Sequence, residues 1–138
     1  MYEVKVDPEV ALQEVNALLD KKKLLPKRRE ALQAPIDAVA EAVSLGFVEI
    51  AADGSITHNL IDPIVDVVTR EPVLSKLTYK ARLDPATVNK KLGELKTLTQ
   101  VTQTALISTL LTDQPIGIIN KMEPQDRNIC DCISLFFI

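Results

Sequence analysis

The sequence predicts an α+β fold, mainly helical, with a small antiparallel sheet near its middle. Three observations carry this expectation. Asp-Pro steps followed by apolar residues at helical spacing occur at Asp7-Pro8 and again at Asp84-Pro85. An Asp-Gly turn signal with strand-like flanks lies between them, and the stretch "VLSKLTYKARL" alternates apolar and polar residues. At 138 residues, 46% apolar and 25% charged, the chain is expected to form a single domain. Its N-terminal helical part covers about residues 1–46, and the sheet and C-terminal helices cover about 47–138.

Asp7 is placed to cap the first helix, with Pro8 at its first position. Ala11, Val15, Leu18 and Leu19 then share one face. Lys21, Lys22 and Lys23 near its end suit the helix dipole and read as a solvated helix end rather than a partner patch. A second helical stretch from Pro26 carries the stripe Leu32, Ile36, Val39, Ala40 and Val43 and stops at Gly46. Pro35 should kink or break it, since proline lacks an amide donor and crowds the preceding turn.

"GFVEIAADGSITHNL" reads as a hairpin over about 47–60. A three-residue loop with Gly54 left-handed pairs Ile50 with Ile56 and Val48 with His58. That register puts Val48, Ile50, Ile56, His58 and Leu60 on one face, and a buried face fixes register. Residues 61–72, between Pro63 and Pro72, show no readable pattern. A third strand is expected over about 73–83, with Val73, Leu77, Tyr79, Ala81 and Leu83 inward. Lys76, Thr78, Lys80 and Arg82 then point outward.

The remainder is helical. Val88, Leu92 and Leu95 follow Asp84-Pro85; Val101, Ala105, Ile107, Leu110 and Leu111 make a more apolar helix; Pro115 to Met122 is short. The last helix starts at Pro124, with Ile129, Ile133, Phe136 and Phe137 at i, i+4, i+7 and i+8. With three Phe, two Tyr and no Trp, the core must be aliphatic.

Little chemistry is visible. Cys130 and Cys132 lack the second ligand pair of a structural zinc site, and are read as ordinary reduced cysteines of an intracellular protein. His58 as a general base would need a nucleophile and an orienting acid; Glu49 would lie close only in a two-residue-loop register that mixes the faces, and no nucleophile is indicated, so a hydrogen-bonded sheet histidine is expected. The carboxylates fall mostly on polar helix faces, and no phosphate-cradling glycine loop is present. No enzyme activity and no cofactor are expected. The net charge of −3 argues against nucleic acid, and no apolar run reaches the roughly 18 residues of a membrane span. "MYEVKVDPEV" shows no signal peptide.

Two features suggest binding. Lys76, Lys80 and Arg82 form a basic row that would steer an acidic partner, although lysines also protect a wet sheet edge. The closing Leu135, Phe136, Phe137 and Ile138 are unusually apolar for a chain end. The helical period favours docking into the core, yet adjacent phenylalanines cannot share one direction, which leaves one for another chain.

From Gly46 onward, about two-thirds of the chain, the order of segments resembles the tail assembly chaperones of tailed bacteriophages. The likeness rests on "GFVEIAADGSITHNLIDPI", "VLSKLTYKARLDPATVNKKLGEL" and "MEPQDRNICDCISLFFI". It implies a non-enzymatic protein of the host cytoplasm that coats the long tape measure protein and helps recruit tail-tube protein before leaving the assembly. Self-association is a further option, and many such families also make a longer, frameshifted product. The surface expected to serve is Leu106, Leu110 and Leu111 with Leu135, Phe136 and Phe137, beside the basic Lys76, Lys80 and Arg82. The alternatives are a structural tail, head or connector protein that stays in the particle, or a small intracellular adaptor.

Overall fold

The computed structural model describes residues 2–138. Asp7 accepts a hydrogen bond from the Glu9 amide and opens α1 (Pro8–Lys21), whose Ala11, Val15, Leu18 and Leu19 are buried as the spacing predicts. The stretch from Pro26 is broken into α2 (Pro26–Ala31) and α3 (Gln33–Ser44). Pro35, without an amide, sits in the first turn of α3, where that group has no helical partner to lose. α1 packs on α3, and α3 on the last helix, through Ile36, Val39 and Val43 among others.

The sheet comprises β1 (Val48–Ile50), β2 (Ile56–Val65) and β3 (Pro72–Tyr79), antiparallel in the order β1-β2-β3. Its hairpin register is the expected one: Val48 faces His58 and Ile50 faces Ile56. Gly54 makes this possible, because its φ of +93° is left-handed backbone that L side chains seldom adopt. Its bare α-carbon also approaches Leu18 of α1 and Ala81.

Two strand expectations need correction. β2 does not stop at Leu60 but runs through Pro63 to Val65. The ladder shifts register between Asn59 and Ile64, and proline is tolerated at such an irregularity because no ladder amide is demanded there. That shift also changes which side chains of β3 are covered, so Leu74 is half-buried and Val73 is exposed. The turn between β2 and β3 is held by Asp66, whose carboxylate accepts from the amides of Val68 and Thr69. β3 in turn ends at Tyr79, not near Leu83, since the Lys80 amide donates to the Leu111 carbonyl and draws the chain toward the helices.

Four helices follow: α4 (Pro85–Gly93), α5 (Gln100–Thr112), α6 (Ile116–Ile119) and α7 (Pro124–Leu135). Asp84 caps α4 by accepting from the Thr87 amide, and Thr99 with Thr102 forms a reciprocal capping box on α5. Ile129, Ile133 and Phe136 enter the core, which also holds Leu77, Tyr79, Ile107 and Leu111.

Candidate functional site

The largest gathering of polar side chains lies inside the protein, where β2, β3, α5 and α7 meet. His58 of β2 and Tyr79 of β3 point to the same covered face, and Asp126 stands in the first turn of α7. All three side chains are 0% exposed. His58 Nδ1 lies 3.0 Å from the Tyr79 hydroxyl, and His58 Nε2 lies 3.1 Å from Asp126 Oδ1. A neutral imidazole satisfies both contacts, donating Nε2–H to the carboxylate and accepting the phenol proton at Nδ1. Asp126 accepts two further bonds, from the Ile61 amide at 2.8 Å and the Asp62 amide at 2.9 Å.

Those two amides sit where the β2–β3 ladder is interrupted, so the carboxylate replaces partners the sheet cannot supply. Burial holds His58 below the ordinary histidine range, outweighing the opposing pull of Asp126. Burial also pushes Tyr79 well above the ordinary tyrosine value and raises the Cys130 thiol, whose polar neighbours are Ser108 and Tyr79. The chain of polar groups ends at Ser108 and Ser134, whose hydroxyls are 2.7 Å apart. An acid, an imidazole and a hydroxyl in line resemble hydrolytic machinery, but here the hydroxyl is a phenol locked under the helices. The bonds of Asp126 to His58 and to the Ile61 and Asp62 amides fasten α7 to the sheet.

Sequence reasoning placed His58 and Tyr79 inward and missed Asp126. The signal was present: Asp126, Ile129, Cys130 and Ile133 fall at i, i+3, i+4 and i+7, which puts a carboxylate in an apolar stripe. Cys130 and Cys132 are buried free thiols. No group of three or more metal-ligating side chains forms among the described residues.

The expected partner residues are scattered. Leu111 is fully buried and Phe136 nearly so, which removes both from any surface this conformation offers. Leu135 is half-buried, and its carbonyl accepts from Arg28, which also holds the Ile138 main-chain oxygen at 2.8 Å. Phe137 lies half-buried beneath Lys22, whose Nζ is 3.4 Å from the ring centroid and 3.2 Å from the Ala81 carbonyl. The lysine run is therefore not simply a solvated helix end: its middle member clasps the closing segment.

The basic row is also divided. Lys76 stands exposed on β3, Lys80 pairs with Asp113 at 2.9 Å, and Arg82 lies beyond the strand beside Lys22.

Leu106 and Leu110 are half-buried on α5, whose core-facing side differs from the expected stripe. The buried residues are Thr104, Ile107, Ser108, Leu111 and Thr112. The Thr104, Ser108 and Thr112 hydroxyls each donate to the carbonyl four residues earlier, at 2.7, 2.9 and 2.7 Å, which makes them fit to bury. Apolar residues are left outside as a result. Val101 is 74% exposed and the neighbouring Leu98 63% exposed, while α4 contributes half-buried Val88 and Leu92 and no buried residue. Val101 opens toward Arg127, Asp131 and Leu135 of α7, whereas Leu106 and Leu110 lie on another side of α5, so these apolar residues do not share one helix face.

The chain matches no family model, no curated protein and no solved structure. No helix of the described residues is long and apolar enough to cross a membrane.

Proposed function

We propose that this protein is a non-enzymatic assembly chaperone of a tailed bacteriophage, acting in the host cytoplasm on the tape measure protein and the tail tube. The observation that carries the reading is the mixed burial of α5, which hides three hydroxyl residues with Ile107 and Leu111 and leaves other apolar residues outside. Thr104, Ser108 and Thr112 lie inside, while Leu98 and Val101 stand exposed, Leu106 and Leu110 are half-buried, and the neighbouring α4 has no buried residue. Apolar residues beside a thinly packed helix suit transient capture of an amphipathic helix, such as a long tape measure protein supplies. The order of segments from Gly46 onward supports the same reading.

A second reading, a tail or connector component that stays in the particle, is favoured by the β2–β3 hairpin. Its turn carries Val67 and Val68, 83% and 89% exposed, an apolar tip suited to a permanent neighbour.

The test is an N-terminally tagged chain with Ile138 left free, purified from phage-producing cells and examined by mass spectrometry for co-purifying proteins. Recovery of the tape measure protein, with this chain missing from finished particles, is the expected result. Its presence in many copies in finished particles selects the second reading. Recovery of neither tape measure nor tube protein overturns the chaperone.

A further inference from the structure

A concave cleft of about 550 Å³ opens where the end of α1, the β1–β2 turn and the segment after β3 meet α7. Its walls carry Lys21, Lys22, Lys23 and Arg82, and Asp53 is its one carboxylate. The local balance is four positive charges less one negative, a surplus of three, on a chain whose net charge is −3. The positive charge is thus concentrated in one cleft against the overall sign. Asp53 stays ionised beside Lys21 and offsets one of the four charges, while its Oδ1 accepts from the amide and hydroxyl of Ser55 at 2.9 and 2.7 Å. None of the four cations takes part in an ion pair among the described residues.

We infer that this cleft binds a phosphate-bearing anion through Lys21, Lys22, Lys23 and Arg82. Three lines of geometry lead there. Three cations come from the run Lys21–Lys23, whose Lys21 also donates to the Ala52 carbonyl, and the fold brings Arg82 to them from a segment distant in sequence. Their number fits a compact, multiply charged group better than a single carboxylate, and the planar fork of Arg82 matches two oxygens of one phosphate. The cleft volume falls within the roughly 300–1,000 Å³ of small-molecule sites. Its convergence on one point differs from the extended basic track that nucleic acid requires.

Lys22 is the centre of the site. An ammonium has three donors; the Ala81 carbonyl takes one and the Phe137 ring faces the charge, which leaves hydrogen-bonding capacity toward the cleft. Burial and the nearby Arg82 lower Lys22 to about 8. Like charges in excess of the single carboxylate are what an anion relieves. Binding therefore weakens as pH rises through about 8, where Lys22 loses its proton.

The experiment titrates the full chain with inorganic pyrophosphate at constant ionic strength, read by calorimetry and by the amide shifts of Gly54 and Phe137. One saturable site is expected, weakened about tenfold by Arg82→Ala, the loss of one charged hydrogen-bonding partner. Arg82 is exposed and forms no ion pair among the described residues, so this variant retains the fold. Lys121→Ala, at an exposed position outside the cleft, leaves binding unchanged. A parallel arm sediments the protein with phosphatidic acid vesicles and with phosphatidylcholine vesicles. Saturable pyrophosphate binding without sedimentation makes a free phosphate compound the source. Sedimentation with phosphatidic acid alone, lost in Arg82→Ala, makes a lipid headgroup the source. A response that never saturates, or that Lys121→Ala reduces as much as Arg82→Ala, is general charge screening and overturns the site.

Discussion

The two faces of the α5 region are built on opposite rules. Toward α7, polar groups are buried and each finds a partner: Ser108 meets Ser134, and beyond them Tyr79, His58 and Asp126 run to the amides of Ile61 and Asp62. At α4 the apolar Val88 and Leu92 remain half outside, and no residue of that helix is buried. A satisfied polar interior tolerates one arrangement, because any shift orphans a group in low dielectric. A greasy, thinly packed surface tolerates many. The difference separates a part that must keep its shape from a part free to adapt.

The sharpest way to break the comparison is Asp126→Ala. It leaves the His58 Nε2–H and two backbone amides without acceptors, and the expected loss is about 3–5 kcal/mol. Urea unfolding measures it as a fall in midpoint, with docking of α7 lost first. Next comes the pair Phe136→Ala and Phe137→Ala. Truncating the buried Phe136 should cost about 3–5 kcal/mol by leaving a cavity. The half-buried Phe137 under Lys22 should cost less than half of that, and a common urea series ranks the two.

Acid gives a smaller, continuous effect. The unfolded histidine takes up a proton near its ordinary 6.5, whereas buried His58 does so only at lower pH. More protons bind to the unfolded chain in that interval, so stability held above about pH 6.5 falls on acidification toward the folded value. Thermal melts between pH 7.5 and pH 5.5 should show Tm declining, with a flatter slope in His58→Gln; an unchanged slope in that variant would assign the decline to another group. Smallest of all, Leu98→Ser with Val101→Ser should move stability by no more than about 0.5 kcal/mol, as exposed positions do. The same double variant should abolish recovery of the proposed partner. Undiminished recovery would place the binding surface elsewhere.

Much of the fold was legible because local rules agreed. Asp7 and Asp84 announced two helix starts, Gly54 set the hairpin register, and the 129, 133, 136 stripe drew the last helix into the core. His58 and Tyr79 were legible as inward residues by alternation alone. What stayed hidden depended on partners far away in sequence. β2 continues past Pro63 because the irregular ladder there asks nothing of the missing amide, and Asp126 serves the neighbouring ones from 64 or more residues away. The inner face of α5 was hidden because Thr104, Ser108 and Thr112 read as polar until their hydroxyls are seen returning to the preceding turn. Lys22 read as solvent-facing because the ring that receives it lies 115 residues downstream, the difference between positions 137 and 22.

The carboxylate of Asp126 also sets a schedule for synthesis. The Ile61 and Asp62 amides are made long before the side chain that satisfies them. As the chain leaves the ribosome, the hairpin has to wait with a gap in its ladder until residue 126 has emerged and α7 can fold against it. Up to that moment the nascent protein carries an incomplete sheet beside an uncovered apolar core, the condition in which chains pair with the wrong neighbour. Native structure is therefore reached in a late closing step, when Asp126 meets the amides of Ile61 and Asp62.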